Sequence, residues 1–153
     1  MTGVAKIIAA DHTGFSVSSL DDAVKFWTEA MGFTLVRRGE MGGEFLQQTT
    51  GVAGATVRMA LVRCPNNYSI ELLEYSTRDE LGLAPSSAGA VGAAHIAFTT
   101  ADIHAAIGRI AAAGWTAKGP PQPVPGGPRK GTLIVYVSGP DNINIELMQP
   151  PSG

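Results

Sequence analysis

Apolar residues recur at helical spacing twice along the chain, at Leu20, Ala23, Val24, Trp27 and Met31 and again at Ile103, Ala106, Ile107, Ile110 and Ala113. One apolar face every three to four residues predicts two amphipathic helices. Ser19 followed by Asp22 makes a capping box for the first, Thr100 is the expected cap of the second, and Gly32 and Gly114 stand where the helices should stop. Period-two alternation marks strands before and after each helix. The first helix is preceded by HTGFSV and followed by strands over 33–38, 56–63 and SIELL, and the second is preceded by HIAFTT and followed by strands over 116–118, 132–138 and NIELM. The element order is β-α-β-β-β, twice.

The two copies agree in detail. From His12 to Gly32 is 20 residues and from His95 to Gly114 is 19, while the separations His12 to Glu71 and His95 to Glu146 are 59 and 51. A surface loop absorbs such a difference at little cost, and 39–54 is its expected place. The fold expected is α+β, two βαβββ modules forming paired half-cup sheets. The chain reads as a single domain, 1–153, with modules over 5–76 and 91–150 and an Ala-, Ser- and Gly-rich linker over 77–90.

Strand alternation then sorts the chemistry. His12, Gly14 and Ser16 share one face and Thr13, Phe15 and Val17 the other; His95, Ala97 and Thr99 oppose Ile96 and Phe98. In the closing strands Glu71 opposes Ile70 and Leu72, and Glu146 opposes Ile145 and Leu147. The aliphatic faces are the seats of the helices. The other faces carry His, Glu and small residues, which leave room for a cavity. The chain has only three histidines, and two of them fall at equivalent repeat positions, each with its Glu. Imidazole and carboxylate ligands suit Zn, Ni, Co, Mn or Fe(II), and four leave one or two positions open for water or substrate. Modules facing one another would bring His12, Glu71, His95 and Glu146 together around one divalent ion. Two separate hydrogen-bonded His–Glu pairs are the plainer alternative, disfavoured by the repetition. His104 falls on the polar side of its helix and Glu74 reads as a surface carboxylate.

Composition narrows the partners. Thirteen acidic residues against 11 Lys plus Arg, without a basic run, disfavour nucleic acid and anionic membranes. The start, MTGVAKIIAADH, is interrupted by Lys6 and Asp11 before a signal core develops. The lone Cys64, read as a buried and unreactive thiol, fits a reducing compartment. A cytoplasmic protein is expected. A chain of 153 residues can build its own core, so a metal would be there for chemistry.

The motifs HTGFSV, SIELLEY, AHIAFTT and GPDNINIEL, in order and in register, resemble the vicinal oxygen chelate superfamily. That family includes glyoxalase I, methylmalonyl-CoA epimerase, extradiol dioxygenases and the bleomycin- and fosfomycin-resistance proteins. The resemblance implies that His12, Glu71, His95 and Glu146 match the glyoxalase I ligands, with Glu146 the candidate general base for proton transfer at a carbon next to a carbonyl, a permanent ligand without a proton role being its alternative. It implies a small carbonyl-containing substrate and a homodimer, but leaves open whether modules pair within one chain or across two. Ser16 and Tyr75 stand where glyoxalase I has an Arg and an Asn for glutathione, which speaks against glutathione hemithioacetal. Both would line the cavity instead, with Met148, Leu73, Phe45 and Tyr136 as walls. Tyr136, ten residues before Glu146, also occupies the place of the active-site Tyr of extradiol enzymes. An Fe(II) ring-cleavage dioxygenase and a drug-sequestering protein of the bleomycin-resistance kind are the alternatives. Arg129 or Lys130, in the Gly-rich turn 126–131, could meet an anionic substrate, although a solvated turn is the plainer reading.

Overall fold

The computed structural model describes residues 5–153, so the reading of the first residues as lacking a signal core lies partly outside the described residues. The first half contains strand β1 (His12–Ser16), helix α1 (Leu20–Lys25) continuing into a wider π-helical turn (Phe26–Ala30), β2 (Thr34–Gly42), α2 (Gly43–Thr50), β3 (Thr56–Arg63) and β4 (Ser69–Tyr75). After a short helix α3 (Arg78–Leu81), the second half contains β5 (His95–Thr99), α4 (Ile103–Ala112), β6 (Thr116–Ala117), β7 (Gln122–Pro123), β8 (Leu133–Ser138) and β9 (Asn144–Gln149). Among the described residues no helix is long and apolar enough to cross a membrane.

The strands form two sheets, ordered β1-β4-β3-β2 and β5-β9-β8-β6, with β7 also paired to β8. In each, the opening strand runs parallel to the closing one and the other pairings are antiparallel. The registers correspond: Gly14 stands level with Glu71 and Ala97 level with Glu146. This is the α+β architecture of two βαβββ units that the periodicities predict.

The aliphatic faces do seat the helices. Leu20, Val24 and Trp27 pack against Ile70, Leu72, Ala60 and Val62, and Ile103 and Ile110 belong to the same buried cluster as Val135, Val137, Ile145 and Leu147. Both halves share this core. Trp27 lies 5.9 Å from the Phe15 ring and 5.7 Å from that of Phe98, while Phe26 stacks on Trp115 at 3.9 Å. A guanidinium nitrogen of Arg109 on α4 donates to the carbonyl of Glu29 at 2.8 Å, tying the two helical layers together.

Four local expectations need correction. The first helix does not stay α-helical: the Thr28 hydroxyl donates to the Val24 carbonyl at 2.8 Å, and the N–H of Met31 reaches back to Phe26. The widened turn buries Phe26 beside Trp27, although Phe26 lies off the predicted stripe. The second helix is capped by Asp102, whose carboxylate accepts from the Ala105 N–H at 2.9 Å, whereas Thr100 bonds to Asp102 itself. Ser19 caps the first as expected, accepting from Asp22 at 3.3 Å. Residues 39–54 are not a plain loop: β2 runs on to Gly42, and α2 follows, ending at Gly51 in the left-handed region (φ 75°). Finally, Glu74 is not a surface carboxylate. It is 14% exposed, accepts from the Leu20 N–H at 2.6 Å and is paired with Arg58. Gln149, equally three residues past its Glu, accepts from the Ile103 N–H at 2.7 Å. Each closing strand therefore caps the helix of its own unit with a side chain from the helix-bearing face.

Candidate functional site

The registers put His12, Gly14 and Ser16 of β1 on one face with Ser69, Glu71, Leu73 and Tyr75 of β4, and with Leu61, Met59 and Val57 of β3. The second sheet repeats this with His95, Ala97 and Thr99, then Asn144, Glu146 and Met148, then Tyr136 and Ile134. Both faces are turned away from the shared core, because Phe15 and Phe98, on the opposite sides of β1 and β5, are the residues that meet Trp27.

Each histidine meets its own glutamate. His12 Nε2 lies 3.1 Å from Glu71 Oε2, and His95 Nε2 lies 3.2 Å from Glu146 Oε2. The carboxylates are mostly covered, at 19% and 13% exposure, and the imidazoles are more open, at 37% and 40%. The pairs differ in their surroundings. Nδ1 of His12 is 2.7 Å from the Asp11 carboxylate, which fixes the ring with Nε2 toward Glu71. That hydrogen bond, with the charges of Glu71 and Asp11 adding, raises the His12 pKa above 6.5 against the opposing effect of partial burial. The Tyr136 hydroxyl lies 3.0 Å from His95 Nε2, and burial together with the Glu146 charge pushes the phenol above 10.0. At the corresponding place in the first sheet, level with Glu71, stands Leu61.

The structure thus brings His12 to Glu71, and His95 to Glu146 and Tyr136. It does not bring the four expected ligands together in one chain: among the described residues no three His, Cys, Asp or Glu side chains cluster closely enough to hold a metal ion. The donor chemistry of each half nevertheless fits a borderline divalent ion, since two ligands at about 2.1 Å from a common ion on an octahedral edge stand about 3 Å apart. A His–Glu hydrogen bond has the same length, so each pair can close on itself without an ion.

The other expected residues line these faces. Ser16 is exposed and Tyr75 half-buried on the Glu71 side, the latter packed against the small cluster of Leu46, Ala55 and Val57 that anchors α2. Leu73 joins that cluster, and Phe45 on α2 is 64% exposed. Met148 shares the face of Glu146 and meets an Arg129 guanidinium nitrogen at 3.3 Å through its sulfur. Cys64 is half-buried and His104 exposed. Sequence reasoning missed α2 as a wall at the end of the first face; the signal was the pair Gly42-Gly43 before EFLQQTT and Gly51 after it.

Comparison with known proteins agrees with this fold. The chain belongs to the Glyoxalase/Bleomycin resistance protein/Dioxygenase superfamily, whose family model matches residues 9–147. It is similar to 2-epi-5-epi-valiolone epimerase of Actinomyces sp., 32% identical over 99% of this chain and 84% of that one. It is also similar to a probable lactoylglutathione lyase of Vibrio cholerae, 30% identical over 90% of this chain and 88% of the other. A lactoylglutathione lyase of Arabidopsis thaliana is 26% identical, and the chain spans only 43% of its length. Among solved structures, a glyoxalase-family protein from Bacillus cereus superposes with a TM-score of 0.81 at 25% identity, covering 99% of this chain and 100% of that one. A Listeria monocytogenes fosfomycin resistance protein, solved with Mn(II) and a dihydroxypropylphosphonic acid, shares the fold at 17% identity, TM-score 0.62, with 94% and 93% covered.

Proposed function

We propose that the protein is a divalent-metal-dependent epimerase or isomerase that moves a proton at a carbon next to a carbonyl, with its active site built from two copies of the chain. The observation that carries this reading is the pair of His–Glu contacts, 3.1 and 3.2 Å, at repeat-equivalent positions on sheet faces turned away from the core. A pair supplies two ligands, and a chain offers two such half-sets on separate faces. A homodimer that sets the His12–Glu71 face of one copy against the His95–Glu146 face of the other completes two four-ligand sites. In this reading each chain is one domain of two modules, 5–76 and 91–150, joined by 77–90.

Bound there, Zn, Ni, Co, Mn or Fe would supply positive charge to the substrate's vicinal oxygens and make the adjacent C–H bond more acidic. Glu146 accepts the proton from that carbon as the C–H electron pair moves toward the carbonyl oxygen, and return of a proton to the opposite side of the carbon gives the epimer. Tyr136, hydrogen-bonded to His95, orients that imidazole. Ser16, Tyr75 and Met148 line the substrate's place. Two findings favour epimerisation over glutathione chemistry. The relative named as an epimerase matches almost the whole chain, and Ser16 and Tyr75 offer hydroxyls where an Arg and an Asn would hold glutathione.

The test is metal content and subunit complementation. Protein purified without chelator should carry about one equivalent of metal per chain, lost in a His12→Ala, His95→Ala variant. Glu71→Ala and Glu146→Ala chains, each depleted of metal alone, should regain tight binding when mixed, because one of the two sites in the mixed dimer is then intact. No metal uptake by any form would sink the reading, and uptake without complementation would sink its two-copy site.

A further inference from the structure

We infer that Arg37 and Arg129 form an anion cradle beside this site, so that its substrate carries an oxyanion, a phosphate or a carboxylate, in addition to the carbonyl. The inference rests on the proposed two-copy site, which alone would bring the two arginines together, while the placement of each arginine over its methionine is read from the side chains.

The chain has seven arginines. Arg38, Arg58 and Arg78 are paired with carboxylates, and Arg109 donates to the Glu29 carbonyl. Arg37 and Arg129 have no carboxylate partner among the described residues, and each instead directs a guanidinium nitrogen at a thioether sulfur, Met59 at 3.7 Å and Met148 at 3.3 Å. A thioether is a weak acceptor and leaves a guanidinium's five donors almost unused. Both sulfurs lie on the His–Glu faces. Met148 is two residues past Glu146 on β9, and Met59 is level with Leu73, two residues past Glu71 on β4. The two sulfurs are therefore at the same level, about 6.6 Å along the strand direction past the glutamate of their sheet, Met148 on the strand of Glu146 and Met59 on β3 beside the strand of Glu71, while Arg37 reaches its sulfur from β2 and Arg129 from the turn before β8. Arg38, next in sequence to Arg37, is on the opposite face and bound to Asp21 at 2.6 Å. Arg63 is also free of a carboxylate partner among the described residues, but it lies at the other end of the first face, level with Ser69 and His12.

An exposed guanidinium laid over an apolar sulfur is pre-oriented and cheaply displaced, and a phosphate or carboxylate offers the paired oxygens that its planar fork matches. In the two-copy site Arg37 comes from one chain and Arg129 from the other, so the anion would be held at the same end of the cup by both.

The experiment uses metal-stripped dimer with labelled arginine, titrated with inorganic phosphate and, separately, with malonate, reading the Nε–Hε resonances. Saturable shifts of Arg37 and Arg129 at millimolar anion, with affinity at least tenfold weaker in the Arg37→Ala, Arg129→Ala variant and unchanged in Lys25→Ala on the opposite side, support the cradle. Tighter phosphate then indicates a phosphate ester, and tighter malonate an additional carboxylate. Shifts that grow equally and without saturation at Arg37, Arg129 and Arg63, or an unchanged affinity in the double variant, overturn it. Since no metal is present, failure of the metal reading leaves this result untouched; chains that sediment as monomers and bind no anion overturn the cradle together with the two-copy site, whereas a dimer that binds no anion overturns the cradle alone.

Discussion

The two histidines occupy equivalent positions yet have different second partners, a carboxylate for His12 and a phenol for His95. The raised Tyr136 pKa makes this difference measurable: a tyrosinate titration of the metal-free protein should show a component above 10.0 that disappears in Tyr136→Phe and moves down in Glu146→Gln, which removes the neighbouring charge. Asp21 gives the clearest effect of pH on stability. Hydrogen bonds from Arg38 and Arg58 hold its carboxyl below 3.8, so its contribution is fully present above that value and is lost as the pH falls through the lower folded value. The carboxyl resonance of Asp21 should therefore titrate below 3.8, and Asp21→Asn should flatten the acid limb of a thermal-melt series. A normal Asp21 midpoint would show that these contacts do not persist in solution.

Elements here are held by their neighbours more than by their own propensity. The tertiary caps from Glu74 and Gln149 are the main case, because they tie the start of each helix to the closing strand of its unit. Glu74→Ala and Gln149→Ala should each cost about 1–2 kcal/mol, read as a lower denaturant midpoint with unchanged slope. Glu74 should be the costlier, as its removal also takes one of the carboxylate partners from Arg58 and from Arg78, which keep Asp21 and Asp79. The turn before β9 is constrained differently. A methyl group added at Gly139 would fall onto the Trp115 ring, which is itself stacked on Phe26. Gly139→Ala should destabilise by about 1–3 kcal/mol or more, since a ring packed on both sides cannot step aside. A thermal midpoint within a degree of the parent would contradict the packing at that seam.

At the scale of the molecule, the two units share one core through Phe26, Trp27, Phe33, Phe98 and Trp115. Truncation at this seam should be felt by both units. Phe26→Ala is expected to cost about 3–5 kcal/mol, with the sheets still unfolding in a single transition followed by tryptophan fluorescence and circular dichroism. Two separated transitions would mean that the units hold together only weakly. The same arrangement bears on function, because helix-to-helix packing within the chain turns the His–Glu faces outward and leaves β1 and β5, which carry the histidines, each at one edge of its sheet. The proposed enzyme would thus need its second copy to complete its chemistry.

Much of this was legible in the sequence, because strand alternation and helical spacing are local periodicities that hold whatever the tertiary arrangement. They determined the two βαβββ units, the faces on which His12, Glu71, His95 and Glu146 stand, and the His–Glu partnerships. The cap of α4, the π-helical turn and α2 were not legible, since each depends on a hydrogen bond or a buried contact chosen among local competitors: Asp102 over Thr100, the Thr28 hydroxyl on a helix carbonyl, Leu46 against Val57. Only the tertiary structure decided how the two units meet. A pattern of apolar positions says which face is buried and not what it is buried against, and the aromatic seam here joins helix-bearing faces instead of closing the His–Glu faces around a common centre.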